Sequence, residues 1–102
     1  MSVVTDVILT GGLEIEGLWS EINRFFEEQG CRGLLLIDGR QVGGGKALQA
    51  TVLIGAFNYL DREGFLAHLR RLGLAALSTE RIRLFIQHED DECGFHEVAI
   101  WP

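Results

Sequence analysis

The chain has 102 residues, 47% of them apolar and 24% charged, which is enough for one hydrophobic core without disulfide or metal staples. Fifteen acidic and nine basic residues give a net charge of −6, so nucleic acid and anionic membranes are disfavoured as partners. The two cysteines have no metal-type spacing, and no apolar run approaches the roughly 20 residues that span a bilayer, so we expect a cytoplasmic protein.

The first part of the chain predicts one strand and one helix. Residues 3–9 are rich in β-branched side chains and are followed by a Thr-Gly-Gly stop, which is typical of a strand. A single amphipathic helix is expected next, ending at Gly30 in the left-handed cap position. Its apolar stripe consists of Ile15, Leu18, Trp19, Ile22, Phe25 and Phe26.

A β-hairpin is predicted in the middle of the chain. Residues 34–37 and 48–59 have the composition of strands, and a glycine-rich segment around residues 43–45 connects them. Apolar side chains occupy both faces of the second strand, so we expect both faces to be covered. One face carries Val52, Ile54 and Ala56, and the other carries Thr51, Leu53 and Phe57.

One helix and two strands are predicted in the last part of the chain. Asp61 is a suitable N-cap for a helix that begins at Arg62 and ends at Gly73. Alternation of apolar and polar residues over 81–87 indicates a half-buried strand. Residues 95–101 are expected to fold back on that strand as a fifth one.

The order of these elements predicts the fold. A β-α-β-β-α-β chain with one added C-terminal strand is the split βαβ pattern of the ferredoxin-like fold, so residues 1–102 are expected to form a single α+β domain. The first and third strands would lie in the centre of an antiparallel sheet, with both helices on one face. The other face would stay open to a second copy or a ligand, unless a loop or the chain terminus covers it. Candidates for that face are Phe57, Tyr59, Phe85 and Trp101.

A second candidate site is the turn Gly43-Gly44-Gly45 followed by Lys46. Successive backbone N–H groups and one ammonium group could hold an anion. A phosphate loop requires Ser or Thr after the lysine and then a helix, whereas Ala47 and a strand follow here. The alternative is a flexible hairpin tip.

Asn58 and Tyr59 are candidate ligand-binding residues because they lie where the third strand runs into a helix. The alternative is an ordinary strand-to-helix turn. Lys46 lies near the other end of the same strand, roughly 40 Å away if the chain is fully extended. A site that combines Lys46 with Tyr59 would therefore need a second subunit.

The acidic segment Glu89, Asp90, Asp91 and Glu92 could attract a basic protein partner, or it could be a solvated turn. His88, Cys93 and His96 nearby are candidate metal ligands, although a zinc site would need convergence with further support, and we predict no metal site and no cofactor. Cys93 and His96 should point to opposite faces of a strand, which does not favour covalent catalysis. His68 is expected on the exposed side of its helix.

The string GGGKALQATVLIGAFNYLD resembles a pattern in small uncharacterised bacterial proteins, in which a GGGK turn precedes a GAFNYLD joint. That resemblance implies no activity and no catalytic residues. The small size and acidic composition also resemble those of bacterial toxin-immunity proteins.

Two functions stay open at this point. The first is a non-enzymatic interaction module of immunity or regulatory type, which forms a homodimer and binds a basic partner through its acidic surface. The second is a small-molecule or anion-binding domain, or a minor enzyme, that uses Lys46, Asn58 and Tyr59 near the open sheet face.

Overall fold

A computed structural model of the chain describes residues 4–73, 82–89 and 94–100. Within these residues it has three helices and five strands, so the predicted α+β class is confirmed. In chain order the elements are β1 (Val4–Gly11), α1 (Leu13–Gly17), α2 (Trp19–Glu27), β2 (Leu35–Leu36), β3 (Thr51–Asn58), α3 (Arg62–Arg71), β4 (Arg83–His88) and β5 (His96–Val98).

The strands form one open sheet in the order β2-β3-β1-β4-β5, and every neighbouring pair is antiparallel. The predicted hairpin is present, since Leu35 lies opposite Ile54 and Leu36 opposite Leu53. The fifth strand folds back on β4 as predicted. This strand order is compatible with the ferredoxin-like arrangement.

Side chains alternate between the two faces of the sheet because successive residues of a strand point in opposite directions. Along β1, Thr5, Val7 and Leu9 are buried, whereas Asp6 and Ile8 between them are half-buried. The buried residues of all three helices belong to the same core cluster as Val7 and Leu9. The helices therefore cover one face of the sheet, which we call the core face, and we call the opposite side the open face.

Aromatic rings connect the helices to the core face. Phe26 of α2 stacks on Phe57 of β3, with ring centroids 4.3 Å apart and planes 4° apart. Phe65 of α3 lies 5.0 Å from Phe26 and 5.6 Å from Phe25. Full burial of a phenylalanine side chain contributes about 2–3 kcal/mol, so this cluster is a major part of the core.

The predicted single amphipathic helix is two helices in the structure. Leu18, between α1 and α2, has φ −99° and ψ 6°, which departs from helical geometry. Gly17 precedes Leu18, and glycine is a poor helix former. The apolar spacing nevertheless holds across the break, because Ile15, Ile22 and Phe26 are all buried in one core.

The edge strand β2 is shorter than the predicted strand, and α2 binds the residue before it. The Asn23 Oδ1 atom accepts a hydrogen bond from the Leu34 N–H at 2.8 Å, and Asn23 Nδ2 donates to the Leu34 carbonyl at 3.0 Å. The Trp19 Nε1–H donates to the same carbonyl at 2.7 Å. The backbone N–H and carbonyl of Leu34 are thus bonded to side chains of a helix and not to another strand, and its own side chain is buried.

The predicted helix signals around α3 are confirmed. The Asp61 Oδ1 atom accepts from the Gly64 N–H at 3.0 Å and caps the helix. Gly73 after the helix has φ +73°, a left-handed conformation that glycine adopts without steric cost. Gly30, after α2, has φ +75° and ends that helix in the same way.

The expectation that His68 is a surface residue is wrong. Its Nε2–H donates to the Glu21 carbonyl of α2 at 2.8 Å, and its ring lies 5.7 Å from that of Phe25. His68 is half-buried because α2 and α3 pack side by side on the core face. The contact therefore connects the two helices.

Among the residues described, none of the helices has the length and apolar character needed to cross a bilayer.

Replacement of Asn23 with alanine tests the connection between α2 and the edge of the sheet. The change leaves the Leu34 N–H without its partner, so we expect the free energy of unfolding to fall by about 2 kcal/mol in urea denaturation. Asn58→Ala is the matched control, because Asn58 is exposed and its loss should change stability by less than about 0.5 kcal/mol. Equal losses in the two variants would contradict a structural role for Asn23.

Candidate functional site

A band of apolar side chains crosses the open face of the sheet. Ile8 of β1 lies opposite Ile54 of β3 on one side and Phe85 of β4 on the other. Ile54 in turn lies opposite Leu35 of β2, so the band spans four adjacent strands. Ile8, Ile54 and Phe85 are half-buried, and Leu35 is 63% exposed. Contiguous exposed apolar surface of this kind marks a binding or assembly site.

A groove of about 510 Å³ lies beside this band. Gly33, Ala56 and the exposed ring of Phe95 are among the residues that line it. The volume falls within the range of about 300–1,000 Å³ that is typical of ligand pockets. Its lining includes Asp6, Ile8, Leu35, Ile54, Ala56 and Phe95.

The prediction that Phe57 belongs to the open face is wrong. Phe57 is only 8% exposed and stacks on Phe26, because it shares the core face with Leu53. Phe85 is correctly placed, since it lies opposite Ile8 on the open face. Tyr59 is 68% exposed but follows the end of β3. Trp101, the fourth candidate, lies outside the described residues.

The three predicted ligand-binding residues do not form one cluster within a subunit. Lys46 is exposed in the segment before β3, while Asn58 ends that strand and Tyr59 follows it. Lys46 precedes this eight-residue strand and Tyr59 follows it, and the strand is about 26 Å long. Tyr59 has φ +54°, which is uncommon for a residue with a side chain and is found in turns and at functional sites.

Only one of the four predicted acidic partner-binding residues can be placed. The Glu89 carboxylate accepts a hydrogen bond from the Val4 N–H at 3.2 Å, and the Glu89 N–H donates to the Val4 carbonyl at 2.8 Å. Glu89 therefore connects the end of β4 to the start of β1. Asp90, Asp91 and Glu92 lie outside the described residues.

His88 and His96, which flank the acidic segment 89–92, are not opposite each other in the sheet. His96 pairs with Ile86 in the β4–β5 register, and a hydrogen bond of 2.8 Å joins His88 Nδ1 to Thr5 Oγ1. Cys93 lies outside the described residues. Among residues 4–73, 82–89 and 94–100, no group of three His, Cys, Asp or Glu side chains is arranged to hold a metal ion.

A second groove of about 470 Å³ lies between α1 and the hairpin, where Leu13 and Trp19 face Leu48. Asp38 at its rim accepts from the Arg40 N–H at 3.0 Å, and this hydrogen bond holds the pKa of the Asp38 carboxyl below its usual value. The Arg40 guanidinium adds an ion pair at 3.4 Å. Asp38 is accordingly charged and already paired.

Asp6, Leu35 and Phe95 belong to the open-face site, although the residue pattern predicts only that they lie in or beside strands. The signal that could have found them is alternation, because Asp6 occupies the same face of β1 as Ile8.

No protein-family model matches the chain, and comparison with curated proteins and with solved structures finds no match. The resemblance of the GGGK and GAFNYLD strings to other small proteins accordingly stays a prediction.

The assignment of residues to the two faces can be tested with a pair of phenylalanine deletions. Phe57→Ala opens a cavity in the core and should reduce the free energy of unfolding by about 3–5 kcal/mol. Phe85→Ala removes a half-buried ring from the open face and should cost less than about 1.5 kcal/mol. Guanidinium denaturation at low protein concentration gives both values. A larger loss for Phe85→Ala would contradict the assignment.

Proposed function

We propose that this protein is a non-enzymatic interaction module that forms a homodimer through the open face of its sheet. The observation that carries the proposal is the apolar band formed by Leu35, Ile54, Ile8 and Phe85 across four strands. Each copy has a net charge of −6, so two copies repel at long range and need an apolar contact to associate. The open face supplies such a contact.

The size of the open face favours a reversible dimer. β1, β3 and β4 together are about 14 Å wide, and their longest members are about 26 Å long, which gives roughly 370 Å². With the two short edge strands, two copies would bury about 900 Å² in total, which is below the roughly 1,200–2,000 Å² of stable specific interfaces and in the range of weak, transient ones. We therefore expect the dimer to form and dissociate with concentration.

The fold we assign is the ferredoxin-like one with an added strand. The strand order β2-β3-β1-β4-β5 and the antiparallel pairing of all neighbours support it. We place the protein in the cytoplasm, which is supported by the exposed free thiol of Cys31, since thiols stay reduced in that compartment.

Binding of a basic partner through the acidic segment 89–92 remains part of the proposal, in an immunity or regulatory role. The net charge of −6 supports it. Of the four acids, Glu89 is already bonded to the Val4 backbone, so Asp90, Asp91 and Glu92 are the residues we assign to a partner.

Small-molecule binding is the second candidate function, and the groove beside the apolar band favours it. Asp6 would repel an anion there, and Lys46 lies beyond the other end of β3, so the anion-binding version is less well supported at the open face. The two candidate functions are compatible, because a dimer through the open face would enclose the groove.

Substitution of two exposed leucines tests the dimer. Leu35 on the open face is 63% exposed and Leu13 on α1 is 80% exposed, so both should accept glutamate without unfolding. We expect Leu35→Glu to raise the dimer dissociation constant at least about tenfold, because it adds a carboxylate to an apolar contact between acidic copies. Leu13→Glu should leave it unchanged.

Sedimentation equilibrium over about a hundredfold range of concentration measures both constants. A monomer at every concentration for the unsubstituted protein would rule out the homodimer. Equal weakening of the dimer by Leu35→Glu and Leu13→Glu would contradict a contact through the open face.

A further inference from the structure

We propose that the open-face groove binds a protonated amine carried on an apolar body, with the Asp6 carboxylate as its counter-ion. The inference stands on the groove of a single chain. Only its effect on self-association rests on the proposed dimer.

Asp6 lies on the central strand, in the middle of the sheet. Its partners in the register are Ala56 on β3 and Gln87 on β4, and neither carries a charge. The Asp6 side chain makes no hydrogen bond or ion pair with another residue in the ranges 4–73, 82–89 and 94–100. A half-buried carboxylate without a partner is uncommon on an apolar surface, because removal of a charge from water is costly.

The rest of the groove has the chemistry of an apolar pocket. Among the described residues that line it, Asp6 is the single charged one, and the side chains of Ile8, Ile54, Leu35 and Phe95 supply the walls. Ligand sites combine such walls with a small number of placed polar groups that fix orientation. The volume of about 510 Å³ accommodates an aromatic or branched aliphatic body with one amino group.

The charge of Asp6 selects among ligands of similar shape. A carboxylate on the ligand would be repelled, and a neutral apolar ligand would cover Asp6 without giving it a counter-ion. An ammonium group on the ligand forms a charge-assisted hydrogen bond with Asp6, while the apolar body of the ligand covers the apolar side chains of the groove. The groove should therefore prefer an amine to the alcohol or acid of the same shape.

The same ligand would assist self-association. A second copy seated on the open face would remove Asp6 of both copies from water. Arg83 is a cation on this face, four residues along β4 from the Gln87 that lies opposite Asp6, and it is 3.1 Å from Glu97 in an ion pair. A bound amine, and not Arg83, would neutralise the charge of Asp6. Because this lowers the cost of burying Asp6 in a dimer, amine binding and dimer formation should favour each other.

Isothermal titration with three molecules of one shape tests the selectivity. The probes are 2-phenylethylamine, 2-phenylethanol and 3-phenylpropanoate at neutral pH. We expect the amine to bind at least about tenfold more tightly than either of the others. Equal binding of the amine and the carboxylate would overturn the proposal, as would a lack of binding by the amine.

Two variants locate the site. Asp6→Asn keeps the size of the side chain and should weaken amine binding at least about tenfold while it leaves alcohol binding unchanged. Ala56→Leu keeps the charge and fills the groove from an exposed position, so it should reduce binding of both probes. Unchanged amine affinity in both folded variants would overturn the assignment. If Asp6→Asn does not fold, Ala56→Leu alone decides it.

Sedimentation separates this inference from the proposed function. If the amine binds and the protein stays monomeric, the groove is confirmed and the homodimer fails. If Arg83 of a second copy is the counter-ion of Asp6, Arg83→Gln should weaken the dimer and free amine should not bind to the dimer. That result would overturn the amine site and retain the dimer.

Discussion

The alternation of side chains along the central strand β1 separates the sheet into a face that the helices cover and an opposite face on which none of the described helices lies. Val7 and Leu9 point into the aromatic and aliphatic core, where Phe26 stacks on Phe57. Asp6 and Ile8 point the other way, and a shift of one residue in register would exchange these roles. Because β1 pairs with β3 and β4 along most of its length, its register also sets which of their side chains reach the open face.

The helix layer depends on polar contacts as well as on the core. Asn23 and Trp19 bond both backbone groups of Leu34, and His68 connects α3 to the Glu21 carbonyl. The bonds from Asn23 and Trp19 satisfy the backbone groups of Leu34, next to the edge strand, that would otherwise be open to another chain. The consequence is an asymmetric molecule, in which the edge near Leu34 is protected and the open face of the sheet is not.

Local chemistry made much of the fold predictable. The helix cap at Asp61, the left-handed glycines Gly30 and Gly73 and the glycine-rich hairpin each depend on a few neighbouring residues. Features that depend on residues far apart in the sequence were harder to predict. The alternation in β3 was visible, but the side that the helices cover follows from packing, and Phe57 was therefore assigned to the wrong face.

The candidate site was predicted only in outline. An open, partly aromatic sheet face was expected, and Phe85 lies on it. The role of Asp6 was not predictable, because it depends on the uncharged neighbours Ala56 and Gln87 that the strand register places beside it. The contact of His68 with the Glu21 carbonyl likewise results from how α2 and α3 pack, which residue spacing does not encode.

The central claim is that the open face of one copy contacts the open face of another. The most direct test is an isotope-filtered NOE experiment on a mixture of labelled and unlabelled protein, which detects contacts between copies only. We predict intermolecular NOEs at the methyl groups of Ile8 and Ile54 and none at those of Ile15 and Ile22, which are buried under the helices. Intermolecular NOEs confined to other surfaces, or none at concentrations where the mass is that of a dimer, would contradict the account.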